Sequence, residues 1–457
     1  MIEHDVVDRT PSGSAAARSH GVAVVGAGYV GLAVAAGLAE LGASVKVVDV
    51  DRGKIDQLRN GRARLFEPGL NELLGSGMRA GRLCFTTRYA EALAGAGYVM
   101  ICVPTPATAD GSLDTTFLRA SYDEILRHAS HSSLIVVNKS TVPVGTADAV
   151  AAEFAAKSIA VVANPEFLTA GSGVDNFFHP TRIVIGSRDP EAAARVAELY
   201  GPLHARILLT DPVTAELAKL AANAFLATKV SFANALAQIA QSVGADSDEL
   251  LLALSLDPRI GSGHLSPGLG FGGSCLPKDL AAVEHLARTT HGSPELFRAA
   301  ADVNIRQRER IVDILTSELG ALAARNIAVL GIAFKANTDD VRESPGLALA
   351  RRLATLGAAV RAYDPAARLP SGEPSVRAAD TIAAATVGAD ALVIATDWPE
   401  FRELDLAATI RQMRGNLLVD GRGLLDADRM RDVGFRFFSL AGATRGSRAP
   451  ARYPKLP

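Results

Sequence analysis

Val22-Ala23-Val24-Val25-Gly26-Ala27-Gly28-Tyr29-Val30-Gly31 is the stretch on which the fold turns. Four small and β-branched apolar residues read as a strand, three spaced glycines as a turn, and the Ala- and Leu-rich run over 29–41 as a helix. In a strand–turn–helix of this kind Gly26 allows the tight turn, Gly28 lets the backbone approach a pyrophosphate, and Gly31 lets helix and strand pack closely. The helix start offers unpaired N–H groups to the phosphates. A second strand follows at 45–50 (VKVVDV), and Asp49 lies eighteen residues after Gly31, where a carboxylate can accept the adenosine ribose hydroxyls. An ordinary glycine-rich turn would need neither the strand nor the acid in place. Arg52 and Lys54 would suit a 2′-phosphate, but Asp49 would repel one, so NAD is the expected cofactor.

Further along the chain, runs at 98–104, 134–140, 159–164 and 182–187 continue the alternation of strands with helical stretches. Such alternation predicts parallel βαβ units and a doubly wound sheet. After Asp211-Pro212 the pattern changes to one long helical stretch over 214–243, with shorter helical segments to about 318. Strands return at 326–334, 359–365, 391–397 and 416–421. The expected fold class is α/β: two Rossmann-like doubly wound parallel-sheet domains joined by a central helical domain with one long helix. The expected boundaries are a disordered tail at 1–20, a NAD-binding domain at 21–212, a central domain at 213–318, a ligand-binding α/β domain at 319–442 and a flexible tail at 443–457. No repeat of 20–50 residues is visible.

Composition narrows the function classes. The chain has 457 residues, 48% apolar and 21% charged, with a formal net charge of −2. That gives no broad basic field for nucleic acid or an anionic membrane. No apolar run reaches the ~18 residues of a membrane span, and no signal-peptide core is seen, so a cytoplasmic location is expected. Three cysteines are too few for a disulfide framework, and no metal-ligand spacing stands out. Cys84 and Cys102 sit in apolar, strand-like runs and read as small buried hydrophobes.

Cys275 differs. It follows Pro267-Gly268-Leu269-Gly270-Phe271-Gly272-Gly273-Ser274, with four glycines in six residues, and precedes Leu276-Pro277-Lys278-Asp279. Those glycines suit a loop whose backbone approaches a ligand closely. Pro277 fits the first turn of a helix, so Cys275 would sit at a helix N-terminus near Lys278, where dipole and ammonium both favour thiolate. A thiolate is the species that attacks a carbonyl carbon. Other polar residues read either way. Lys219 and Asn223 share a helix face amid Leu and Ala, so Lys219 either snorkels or is buried for a purpose. Glu166, at a strand end, is an acid/base or a surface cap. Arg259 holds an anion or is a solvated loop charge. The Val103-Pro104-Thr105-Pro106 and Lys139-Ser140-Thr141-Val142-Pro143 turns fall at carboxyl ends of strands, where open sheets bind ligands.

Taken together these motifs resemble the UDP-glucose/GDP-mannose dehydrogenase family, most closely its UDP-glucose 6-dehydrogenases. The landmarks run from about Val22 to Leu440: GAGYVG (26–31), FEPGL (66–70), VPTP (103–106), STVPVGT (140–146), NPEFL (164–168), HPTRIVIG (179–186), GFGGSCLPKD (270–279) and DGRG (420–423). The resemblance implies two-step oxidation of a nucleotide sugar, UDP-glucose first, by a homodimer or higher oligomer with the long helix in its interface. GDP-mannose and UDP-N-acetylmannosamine enzymes are the nearest rivals, and a non-catalytic nucleotide-sugar binder is the rival from another class. It implies Cys275 as nucleophile, Lys219 and Asp279 as the pair handling protons and water, and Thr141, Glu166 and Asn223 as polar groups near the reacting carbon. It places Tyr29, Val30, Lys54, Val103, Thr105, Thr141, Lys278 and Arg342 around the cofactor. Phe167, Leu168, Lys219, Asn223, Gly270, Phe271, Gly272, Lys335 and Arg422 fall around the substrate, and Arg259 reaches a neighbouring subunit's substrate. One position departs: the family usually carries a second Glu where this chain has Ala170 after Thr169.

Overall fold

In the computed structural model, residues 6–7, 21–63, 65–129 and 133–442 are described. The chain divides into two units, Met1–Ala222 and Asn223–Pro457, with the division inside a 32-residue helix, Pro212–Val243.

Among its described residues the first unit holds nine strands: β1 (Val6–Val7), β2 (Gly21–Val25), β3 (Val45–Val48), β4 (Leu83–Thr86), β5 (Ala96–Ile101), β6 (Ile135–Asn138), β7 (Ala160–Ala163), β8 (Ile183–Gly186) and β9 (Ile207–Thr210). Their order across the sheet is β1-β9-β8-β7-β6-β5-β2-β3-β4. The chain winds one way from β2 to β4 and the other from β5 to β7. The reversal between β2 and β5 opens a crevice at the carboxyl edge, the usual ligand site of such sheets. Alternation along β2 feeds two cores: Val22 and Val24 join a cluster with the helix Tyr29–Glu40, while Ala23 and Val25 face one with Leu118, Tyr122 and Phe154.

The sheet is not parallel throughout. β7 pairs antiparallel with β8, and β1 with β9. A parallel neighbour would require a crossover back to the far edge. The antiparallel step instead leaves residues 164–182, the NPEFL and HPTR motifs among them, at the carboxyl edge of β7. Within the expected N-terminal tail, Val6–Val7 form the edge strand. The rest of that tail and all of 443–457 lie outside the described residues.

The second unit carries an all-parallel six-stranded sheet among its described residues: β10 (Asn326–Leu330), β11 (Ala359–Tyr363), β12 (Val376–Ala378), β13 (Ala391–Ile394), β14 (Leu417–Asp420) and β15 (Arg436–Ser439). The order β12-β11-β10-β13-β14-β15 places a second reversal between β10 and β13. Ahead of this sheet run helices Ser247–Ser255, Leu276–Thr289 and Glu295–Leu319.

None of the three cysteines is in a disulfide. Cys102 is buried, as expected, but Cys84 is exposed. β4 is an edge strand, and Cys84 occupies the one outward position in its burial pattern. Among the described residues no helix is long and apolar enough to cross a membrane.

Candidate active site

The GAGYVG turn is built for close approach. A Cβ on Gly31 would lie 1.9 Å from the Gly26 carbonyl oxygen, whereas one on Gly28 would meet nothing within 4 Å. The first enforces contact between turn and helix; the second leaves open space above the backbone. No side chain caps the helix Tyr29–Glu40, so its first N–H groups face that space. Asp49 sits at the end of β3 beside it. Its Oδ2 accepts from Ala27 N at 2.7 Å and Lys54 Nζ at 3.0 Å, and its Oδ1 from Asp51 N at 3.0 Å. Burial opposes the charge, but the Asp51 and Ala27 amides and Lys54 outweigh it and hold the carboxyl below its ordinary range. An open cradle, an uncapped helix start and an ionised carboxylate fit a dinucleotide.

The two turns at the ends of β5 and β6 are tied together. Thr105 Oγ1 donates to Thr141 O at 2.5 Å, and Ser140 Oγ donates to Val103 O at 2.7 Å. The two readings of Lys219 resolve in favour of burial. Lys219 is 3% exposed, its Nζ lies 3.0 Å from Glu166 Oε1, and it sits 5.6 Å from the Phe167 ring centre. Glu166 is buried, not a surface cap; its Oε2 accepts from Leu168 N at 2.5 Å. Arg182 stacks on the other member of this group, 3.9 Å from the Phe167 ring centre. Lys139, Glu166, Phe167, Leu168, Arg182 and Tyr200 line a cavity of about 230 Å³.

In the second unit the glycine loop is pinned from several directions. Asn304 accepts from Phe271 N at 2.7 Å and donates to Phe271 O at 3.0 Å. Asn234 accepts from Gly268 N at 2.7 Å, and Arg422 donates to Gly270 O at 3.2 Å. A Cβ on Gly272 would lie 2.2 Å from Glu343 O. The glycines therefore serve close packing within the protein. The N–H and carbonyl of Phe271, assigned to substrate by the resemblance, are engaged by Asn304.

The loop delivers Cys275 to the N-cap of the helix Leu276–Thr289, with Pro277 in the first turn and the thiol exposed. Asp279, in the same turn, is fully buried; its Oδ1 lies 2.5 Å from Lys278 Nζ and its Oδ2 2.5 Å from Asn223 Nδ2. The Lys278 ammonium is thus shared with a carboxylate. A second cation, Arg342, is raised in pKa chiefly by its bonds to Asp340, with a contribution from Cys275. Thiol, helix start and two cations form an environment that favours thiolate.

Other expected substrate contacts have partners within the chain. Arg259 is 87% exposed and chelates Asp257. Arg422 also donates to Ala395 O and Phe334 O, so it braces the glycine loop. Lys335 lies 5.8 Å from the Phe334 ring centre. No cluster of three or more metal-ligating side chains occurs among the described residues.

Three sequence models of one family match the chain in order: the NAD binding domain over 20–204, the central domain over 213–306 and the UDP binding domain over 328–427. The chain belongs to the UDP-glucose/GDP-mannose dehydrogenase family. It is 40% identical over 427 residues to a UDP-glucose 6-dehydrogenase of Bacillus subtilis (strain 168), covering 92% of this chain and 97% of that one. Against a UDP-glucose 6-dehydrogenase of Pseudomonas aeruginosa it is 42% identical, covering 93% and 98%. A UDP-glucose dehydrogenase structure from Pyrobaculum islandicum superposes with a TM-score of 0.87 at 38% identity, covering 94% and 99%. A UDP-D-ManNAc dehydrogenase from Pyrococcus horikoshii gives 0.82 at 30% identity, covering 92% and 98%. This family member is an NAD-dependent dehydrogenase with an NAD-binding Rossmann fold.

Sequence reasoning missed three buried groups in this dehydrogenase. Lys139 gives its ammonium to Asn164 O, Asn164 Oδ1 and the Tyr200 hydroxyl, holding the NPEFL turn. Glu216, one turn before Lys219, accepts from Gly145 N at 2.6 Å and Ala147 N at 2.8 Å, joining the long helix to the STVPVGT turn. Glu67 accepts from the backbone after NPEFL. Each is a charged residue inside a quoted or neighbouring motif. Their burial was the missing signal, and no local pattern reports it.

Proposed function

We propose that this dehydrogenase oxidises the C6 alcohol of UDP-glucose to the carboxylate of UDP-glucuronate, with Cys275 as covalent nucleophile. The observation that carries the reading is Cys275 itself, an exposed thiol at a helix N-cap beside Lys278 and the fully buried Asp279. Its similarity to UDP-glucose 6-dehydrogenases of B. subtilis and P. aeruginosa, together with the UDP binding domain match, supports UDP-glucose as substrate.

NAD, when bound, accepts a hydride in each of two oxidations. The chain's own residues do the rest. A base acting through water, with Lys219 and Asp279 as the groups that handle the proton, removes the C6 hydroxyl proton in the first oxidation. The Cys275 thiolate adds to the aldehyde carbon, giving a thiohemiacetal, and its oxidation leaves a thioester. Water, activated by Glu166 and Asp279, adds to the thioester carbonyl and expels the thiolate, while Lys219 and Asn223 stabilise the oxyanion. One water is consumed and four electrons leave the sugar. The covalent link retains the reactive aldehyde between steps.

The three-part organisation follows the same reading: a cofactor domain at 21–212, a central domain at 213–318 and a nucleotide-sugar domain at 319–442. Phe225, Phe232 and Ile239 are exposed at seven-residue spacing on the long helix, an apolar stripe suited to self-association as a homodimer or higher oligomer. A panel of UDP-glucose, GDP-mannose and UDP-N-acetylmannosamine, read by NADH formation, tests the substrate. UDP-glucose is expected to give the highest kcat/KM; a tenfold preference for another sugar overturns the assignment.

A further inference from the structure

The loop after the NPEFL turn, residues 169–174, is held by a carboxylate that lies about a hundred residues away in sequence. Glu67 is 7% exposed. Its Oε2 accepts from Gly171 N at 2.7 Å, and its Oε1 accepts from Gly173 N at 2.6 Å and Val174 N at 3.3 Å. Tyr29, the first helical residue of the GAGYVG turn, donates its hydroxyl to Thr169 O at 2.8 Å. A Cβ on Gly173 would lie 2.0 Å from that hydroxyl oxygen, so loop and ring are in direct contact. The helix Gly173–Phe178 continues the attachment, with the Phe177 ring 2.2 Å from where a Cβ on Gly37 would sit. Burial raises the Tyr29 pKa, and the charges of Glu67 and Glu166 raise it further, so the hydroxyl feels both carboxylates. Ala170 brings no polar side chain of its own to this loop.

We propose that Glu67 is a positioning residue for the reaction: with Tyr29 it clamps 169–174 onto the dinucleotide-binding turn and thereby sets Glu166, Phe167 and Leu168 for the nucleotide sugar. The inference rests on the reading of Phe167 and Leu168 as substrate contacts. The physical basis is that two carboxylate oxygens satisfy three amides at once. An amide side chain offers one acceptor and would turn N–H against N–H at the other position. The clamp acts on the sugar side of the loop, so its loss moves the sugar KM and leaves the cofactor KM in place.

The test uses the full-length enzyme as wild type, Glu67→Gln and Tyr29→Phe. Two readouts are taken: kcat and KM for each substrate separately, and amide hydrogen exchange over 169–174. Glu67→Gln is expected to raise the nucleotide-sugar KM about tenfold, with the NAD KM within about twofold, and to speed exchange at Gly171, Gly173 and Val174 by about tenfold or more. Tyr29→Phe, which keeps the ring, is expected to shift both in the same direction by about threefold. A fall in kcat with both KM values unchanged, an equal rise in the NAD KM, or exchange at the wild-type rate overturns the proposal. If Glu67→Gln does not fold, Tyr29→Phe decides by the nucleotide-sugar KM and the exchange rates, because Tyr29 also belongs to the cofactor turn. If the wild type oxidises no nucleotide sugar, the functional reading fails, while the exchange rates still decide whether the clamp exists.

Discussion

Lys219 Nζ and Glu166 Oε1 lie 3.0 Å apart, with 3% and 8% of their side chains exposed. Breaking a buried ion pair from one side strands the other charge and costs about 3–5 kcal/mol. Lys219→Met and Glu166→Gln are each expected to lower stability in urea by an amount of that order. The double variant is expected to recover most of it, because neither charge is then unpaired. Equilibrium unfolding of the four proteins checks this. The activity of Lys219→Met is expected to fall about 10²–10³-fold, the loss typical of one oxyanion donor.

Glu216 supplies a pH test. Burial pushes its carboxyl up to about 7, against the Ala147 and Gly145 amides that favour the charged form. A folded pKa above the unfolded value means that the native state holds the extra proton. Stability is therefore expected to fall as pH rises from about 4.5 to about 7 and to level off above. Glu216→Gln is expected to remove that slope, whatever its absolute stability. Melting temperatures across the window, wild type against variant, measure it.

The three thiols are expected to differ sharply in reactivity. Cys275 and Cys84 are exposed, whereas burial pushes the Cys102 thiol up to about 12. Limited iodoacetamide near neutral pH should modify Cys275 first, Cys84 more slowly and Cys102 only on unfolding. Loss of activity should follow modification of Cys275. Peptide mass spectrometry against residual activity gives both orders.

Asp49 accepts from Ala27, Asp51 and Lys54, and the backbone at Gly28 has open space above it. Asp49→Asn keeps the shape and loses the charge. Hydrogen bonds to a charged group are worth about 1.5–3 kcal/mol, so the NAD KM is expected to rise roughly tenfold or more. The ratio of NAD to NADP kcat/KM is expected to fall. Steady-state kinetics with both cofactors check this.

Much of the frame was legible because local pattern carries it. The run VAVVG followed by three spaced glycines fixes strand, turn and helix within a dozen residues, and β2 and the helix Tyr29–Glu40 fall where that pattern puts them. Cys275 at a helix start was readable from Pro277 and the glycines before it. What was not legible depends on distant partners. The glycine loop is held by Asn304 and Arg422, 33 and 152 residues from the atoms they bind. The outward face of Cys84 follows from β4 being an edge strand, which the sequence of β4 does not state. The antiparallel β7–β8 pair escaped because VVA and IVIG read the same in either direction.

The NADH yield per UDP-glucose under limiting sugar, measured for wild type and Cys275→Ser, tests the cysteine-linked four-electron oxidation most directly. The wild type is expected to form about two NADH per sugar, as a four-electron oxidation through a cysteine thioester requires, and Cys275→Ser to lose full turnover. A one-to-one yield in the wild type, or steady release of two NADH per sugar by Cys275→Ser, would contradict it.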